Sequence, residues 1–171
     1  MKFFVIVVGV LVLAMLAVVA AGALLPKSHT VSRSAVIRAT PEQVFALISG
    51  PQNWRTDLKE YSFFDEGSRH MQREIDRRGQ TIIYEIVESR PPILRKTVIA
   101  DKSLPFAGSW TWNLQPQRDG CRVTITEDAE VYNPIFRFVS RFILGHARTM
   151  ENYLAMLAEV ANRGKTVAAD P

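Results

Sequence analysis

The chain has 171 residues, 47% of them apolar, and a formal net charge of +4. So small an excess, with no run of consecutive Lys/Arg longer than a pair and no aromatic-basic motif, gives nucleic-acid binding little support. The one cysteine, Cys121, excludes an intrachain disulfide and any metal site built from several thiolates.

Phe3 to Leu25 carries no charged or strongly polar side chain. As a helix it would extend about 34 Å, enough to cross the hydrocarbon core of a bilayer. A lone span must be helical to satisfy its backbone in lipid. Pro26 ends the segment and Lys27 marks an interface. The rival reading is a cleaved signal peptide, with Lys2 as its charged flank and Ala21-Gly22-Ala23 as its cleavage site. The apolar run exceeds the usual signal-peptide core of about 7–15 residues, which favours an uncleaved single-pass anchor. The side of the membrane stays open. Lys27, Arg33 and Arg38 favour a cytoplasmic domain by count, but Arg33 and Arg38 fall in the first strand, and Lys2 on a short tail also suits export.

Thr30 to Arg38 alternates and reads as a strand. Thr40-Pro41-Glu42-Gln43 then predicts a helix start: Thr40 caps, Pro41 fits the first helical position and Gln43 completes a capping box. Val44, Phe45, Leu47 and Ile48 form its apolar face, and Gly50-Pro51 stops it. Pro51 to Leu58, with Trp54, predicts a second short helix or a turn. Strand-like runs follow at Glu60–Asp65, Arg69–Arg77, Thr81–Glu88, Ile93–Ala100, Ser109–Leu114 and Cys121–Glu127. Evenly spaced turns between them describe an antiparallel meander. Cys121 reads there as a packed hydrophobe. From Asn133-Pro134 to Asn162 apolar residues recur every three to four positions. This predicts one amphipathic helix of about 28 residues, stopped by Arg163-Gly164. The expected organisation is an anchor over residues 1–26, one domain over 27–163 and a disordered tail over 164–171.

This order, strand, capped helix, meander, long helix, is that of an α+β helix-grip fold, in which a curved sheet is covered by a C-terminal helix. A curved sheet cannot pack flat on a straight cylinder, so a cavity is expected between them. Val31 to Ile48 with Asn53-Trp54, the Gly108–Leu114 strand, the Gly120–Thr126 strand and the final helix resemble the polyketide cyclase/dehydrase and lipid-transport family of the START-like (SRPBCC) superfamily. The resemblance covers about Val31 to Ala161. It implies a hydrophobic pocket and leaves the function open, since the superfamily includes lipid and sterol carriers, hormone receptors and aromatase/cyclases.

No nucleotide, nucleophile or metal motif is present, and no cofactor is expected. His29 and His70 read as solvated. His146 falls near the apolar face of the last helix beside Gly145, either as a ligand contact or as a helix-boundary histidine. Glu127 continues the face of Cys121, Val123 and Ile125, pointing inward or tipping into solvent at the strand end. An inward carboxylate must be hydrogen-bonded or paired, or its pKa rises. Tyr84 can offer a phenol to the cavity. Trp110, Trp112, Phe106, Phe136 and Phe142 read first as core; Trp112, Phe106, Ile143 and Met150 are the expected pocket lining. Arg137, Arg141 and Arg148 share one side of the last helix, as a solvated face or one resting on an anionic bilayer. The expected function is a membrane-anchored domain that binds a hydrophobic small molecule or lipid. A cyclase or dehydratase using His146 and Glu127, and a ligand-free interaction domain, are the alternatives.

Overall fold

The computed structural model describes residues 1–139, 141–142 and 147–167. Helix α1 spans Lys2–Leu24, and strand β1 spans Ser28–Ile37. Helix α2, Pro41–Ser49, starts as its sequence requires: the Thr40 hydroxyl accepts from the Gln43 amide, and the Gln43 side chain accepts from the Thr40 amide. The segment after it is a turn, not a second helix, because Gln52 folds back to donate to the Ile48 carbonyl.

Six strands follow: β2 (Leu58–Glu66), β3 (Arg69–Asp76), β4 (Thr81–Arg90), β5 (Leu94–Ile99), β6 (Phe106–Gln117) and β7 (Gly120–Val131). With β1 they form one antiparallel sheet in the order β1-β7-β6-β5-β4-β3-β2, so the first strand closes onto the last. Register shifts near Leu58/Glu60 and Ile86/Glu88 add bends to the natural twist. Gly120 opens β7 at φ +147°. A Cβ there would lie 2.1 Å from the Ile37 carbonyl oxygen, so the β1–β7 closure admits no side chain at this point.

The expected long helix is divided. Helix α3 covers Pro134–Val139 and α4 covers Arg148–Val167, with Ala147 in a turn before α4. The Arg163-Gly164 stop lies inside α4. Helix α4 packs on β1 and α2. It buries Met150, Tyr153, Leu154, Leu157 and Ala161 against Ile37, Val44, Ile48, Leu114, Cys121, Val123 and Ile125. Each fully buried aliphatic side chain of this kind contributes about 1.5–3 kcal/mol. Cys121 is a core residue, and burial raises its thiol pKa.

Two apolar residues expected in the core are not there. Phe136, on α3, is 52% exposed because α3 lies against the end of α1, and Phe142, beyond the end of α3, is 63% exposed. Gly22 of α1 meets Pro134 so closely that a Cβ would sit 1.9 Å from its carbonyl oxygen. Arg137, expected on an outward-facing basic stripe, is buried instead. Its guanidinium donates to the carbonyls of Gly22 (3.2 Å), Leu25 (3.1 Å) and Tyr132 (2.9 Å). It therefore caps the C-terminus of α1, where helix carbonyls lack amide partners and the dipole favours a cation.

Candidate functional site

Side chains alternate across a strand, so the register decides which residues share a face. Tyr61 pairs with Glu74, Gln72 with Tyr84, Tyr84 with Ile99, Thr97 with Trp110, and Trp110 with Glu127. Glu74 and Gln72 are two apart on β3, as are Ile99 and Thr97 on β5, so these staggered rungs share one face across six strands, the face that looks toward α4. At one end of this face the aliphatic core is closed. Toward the other, Ile82, Tyr84, Ile86, Ile99, Phe106 and Trp110 are only half-buried.

A buried polar network separates the two ends. Arg95 on β5 is 1% exposed; it donates to the Ile48 carbonyl (2.8 Å) and to Gln72 Oε1 (2.8 Å), and its guanidinium lies 5.8 Å over the Trp112 ring. Gln72 also accepts from the Tyr61 hydroxyl (3.1 Å) and donates to Glu74 (2.9 Å). Glu74 pairs with Arg55 Nη1 at 3.0 Å, and Arg55 holds Asp57 through Nε (3.2 Å) and Nη2 (2.6 Å). Arg55 also lies 5.3 Å over Tyr153, the α4 ring that contacts Trp54, Trp110 and Trp112 at 5.4–6.0 Å.

Burial dominates the electrostatics. It raises the Glu74 carboxyl above its ordinary value, opposed by the Arg55 charge and hydrogen bond. It raises Glu127 too, opposed by a hydrogen bond from Trp110. Tyr61 is pushed up to about 12 by burial, with Glu74 adding and Arg95 opposing. Burial raises the Tyr84 phenol, with the Glu74 charge adding and the Arg55 charge opposing. Arg55 stays firmly charged: burial works against it, but the Asp57 hydrogen bond and the charges of Glu74 and Asp57 outweigh that.

Three buried polar atoms beside the network have no hydrogen-bond partner among the described residues: Thr97 Oγ1, Trp112 Nε1 and Tyr153 Oη. Each such atom costs about 1–3 kcal/mol if it stays unmet. All three can donate, and they lie where the half-buried aromatic wall meets the closed core.

The expected lining divides accordingly. Tyr84, Phe106 and Glu127 lie on the sheet's inner face and are half-buried, at the open end. Trp112 and Met150 are fully packed and form its floor. Ile143 and His146, with Gly145, lie outside the described residues. His70 pairs with Asp65 at the surface (2.7 Å), whereas His29 is half-buried beside the end of α1. The sequence reading missed Arg55, Gln72, Glu74 and Arg95. One signal was present: Arg95 and Thr97 share parity with Ile99 on an interior strand, and a cation placed inward must find acceptors.

The sequence model of the polyketide cyclase / dehydrase and lipid transport family matches residues 28–162. Among solved structures, the chain is similar to norcoclaurine synthase from Thalictrum flavum, a point mutant in complex with a transition-state analogue. That match has a TM-score of 0.63 at 10% identity and covers 81% of this chain and 96% of that one. It is similar to a putative uncharacterized protein from Rhizobium leguminosarum (TM-score 0.61, 15% identity, covering 80% and 95%). It is also similar to the di-domain ARO/CYC StfQ of the steffimycin biosynthetic pathway (TM-score 0.61, 12% identity, covering 81% and 52%). At these identities the likeness shows the helix-grip fold. No curated protein matches the chain by sequence.

Proposed function

The chain belongs to the polyketide cyclase / dehydrase and lipid transport family, and from that premise we propose a membrane-tethered module that binds a hydrophobic small molecule or lipid between the sheet and α4. Membership and fold support a hydrophobic-ligand-binding or cyclase-type domain. The observation that carries the binding reading is the pairing of a half-buried aromatic wall with orphaned donors. Tyr84, Phe106 and Trp110 offer apolar area, and Thr97, Trp112 and Tyr153 offer unmet hydrogen bonds beneath it. The ligand is therefore largely apolar with at least one oxygen acceptor, such as a carbonyl or hydroxyl. Ile143 and His146 are proposed to complete the lining.

Helix α1 is the anchor in this reading. It is apolar from Phe3 to Leu24, and ahead of its last turn it is not buried against the rest of the molecule. Residues 1–26 are the anchor and 27–163 the binding domain. Tethering places the domain where apolar ligands partition.

The test is native mass spectrometry of the full chain released from a mild detergent. One apolar molecule of constant mass, retained across detergents and lost in Trp110→Ala, is the expected result. A chain that carries nothing and takes up no apolar probe would sink this reading and leave an interaction domain.

A cyclase or dehydratase is the second reading, favoured by Glu127, a half-buried carboxyl on the sheet's inner face beside Trp110 whose pKa burial raises. His146 is its proposed partner. Retained ligand in Glu127→Gln with loss of conversion would support it; equal conversion would remove it.

A further inference from the structure

We propose that α3 and the cleft beside it seat the domain on anionic lipid, with Phe136 and Phe142 in the apolar layer and Lys27 and Arg141 holding the phosphates. The inference rests on the reading of α1 as a membrane span. It adds where the domain meets the bilayer, and with which residues.

Depth is the first argument. Pro134 lies in backbone contact with Gly22, within the last turn of α1, and Arg137 fastens α3 to the carbonyls of Gly22 and Leu25. A span of this length crosses about 30 Å of hydrocarbon with little to spare, so its last turn lies at the membrane boundary. Helix α3 is held at that same level. There it exposes Ile135 and Phe136, and Phe142, just beyond its end, is exposed too with its ring 4.9 Å from that of Phe138. In water this patch is unfavourable; at an interface it inserts.

Charge is the second. A cleft of about 120 Å³ opens at the junction, lined by Leu25, Lys27, His29, Val131, Arg137 and Arg141. Arg137 is committed to capping α1, but among the described residues neither Lys27 nor Arg141 pairs with a carboxylate. Two cations beside a cleft at headgroup level suit a lipid phosphate. The occupant is the bilayer that already holds α1, which brings its headgroups to this depth.

Nitroxide labels on the full chain in lipid nanodiscs test the proposal, with Cys121 buried and out of reach of the reagent. Single cysteines at Leu13, Phe136 and Phe64 report on the span, on α3 and on the far edge strand. Collision with oxygen should exceed collision with a water-soluble nickel complex at positions 13 and 136, and the order should reverse at 64. In discs containing phosphatidylserine position 136 should lie deeper than in phosphatidylcholine alone. Lys27→Gln with Arg141→Gln should remove that difference, each cation contributing roughly fivefold to the seated population. An aqueous reading at 136 with a buried one at 13 overturns the seating of α3 and leaves the span standing. An aqueous reading at 13 overturns both. Equal depth in the two lipids overturns the phosphate assignment.

Discussion

The two ends of the sheet's inner face are built from the same strands yet obey different rules. At one end, Val123, Ile125, Leu114, Met150 and Leu157 fill the space between β6, β7 and α4 with aliphatic groups that ask nothing of their neighbours. At the other, Tyr84, Trp110, Phe106 and Glu127 stay half-buried, with Tyr153 of α4 against Trp110, beside a network in which each polar group depends on the next. The first end is stable because it is closed. The second is stable only where its charges are matched, and it leaves donors unmet.

Breaking the network tests this contrast hardest. Arg55→Met strips Glu74 of its cation and should cost about 3–5 kcal/mol, as losing one partner of a buried pair does. Chemical denaturation reads the loss, and adding Glu74→Gln should recover part of it. A cost no larger than that of an exposed pair would erase the distinction between the ends. At the closed end, Leu157→Ala should cost about 2–5 kcal/mol through the cavity it leaves, with ligand affinity of the folded protein unchanged. Trp110→Ala should do the reverse. It should weaken ligand binding by about tenfold or more, as loss of an aromatic anchor does, with a smaller stability loss than Leu157→Ala; calorimetric titration and thermal melting separate the two.

The mildest effect is set by pH. Burial raises the folded-state pKa of Glu127, so folding favours its protonated form. The resulting penalty is absent below the ordinary carboxyl value and sets in as pH rises through that value to the folded one. Melting temperature across this window should fall more in the parent than in Glu127→Gln, whose side chain does not ionise. Parallel curves would place Glu127 in solvent.

Local patterns decided what the sequence disclosed. Thr40 to Gln43 is a self-contained cap, and the strands from Arg69 to Glu127 are bounded by their own turns, so each was legible from neighbours in sequence. Cys121, Val123 and Ile125 alternate cleanly, and that phase placed Glu127 on the inner face. The network was hidden because it joins the turn after α2, β3 and β5, and nothing local says that Arg95 reaches Gln72 or Ile48. The helix boundary failed for a related reason. Apolar spacing from Ile135 to Met150 suits one continuous helix and says nothing of the acceptors that Arg137 finds on α1, more than a hundred residues away, which hold α3 against that helix.

The sheet does not close into a barrel, so two margins stay available to a foreign strand. Helix α4 packs beside β1, and Arg33 bridges to Glu151 there at 2.7 Å. The β2 margin carries Phe63 and Phe64, guarded by Lys59, Glu60, Asp65 and Glu66. If α1 holds the molecules in one plane, as proposed, they would meet side by side far more often than in solution, and at that density a bare edge would zip neighbours together. On β2, Glu60, Asp65 and Glu66 are already paired with Arg73, His70 and Arg69, and a strand adding to this edge would have to strip water from those charged pairs, which makes such zipping costly.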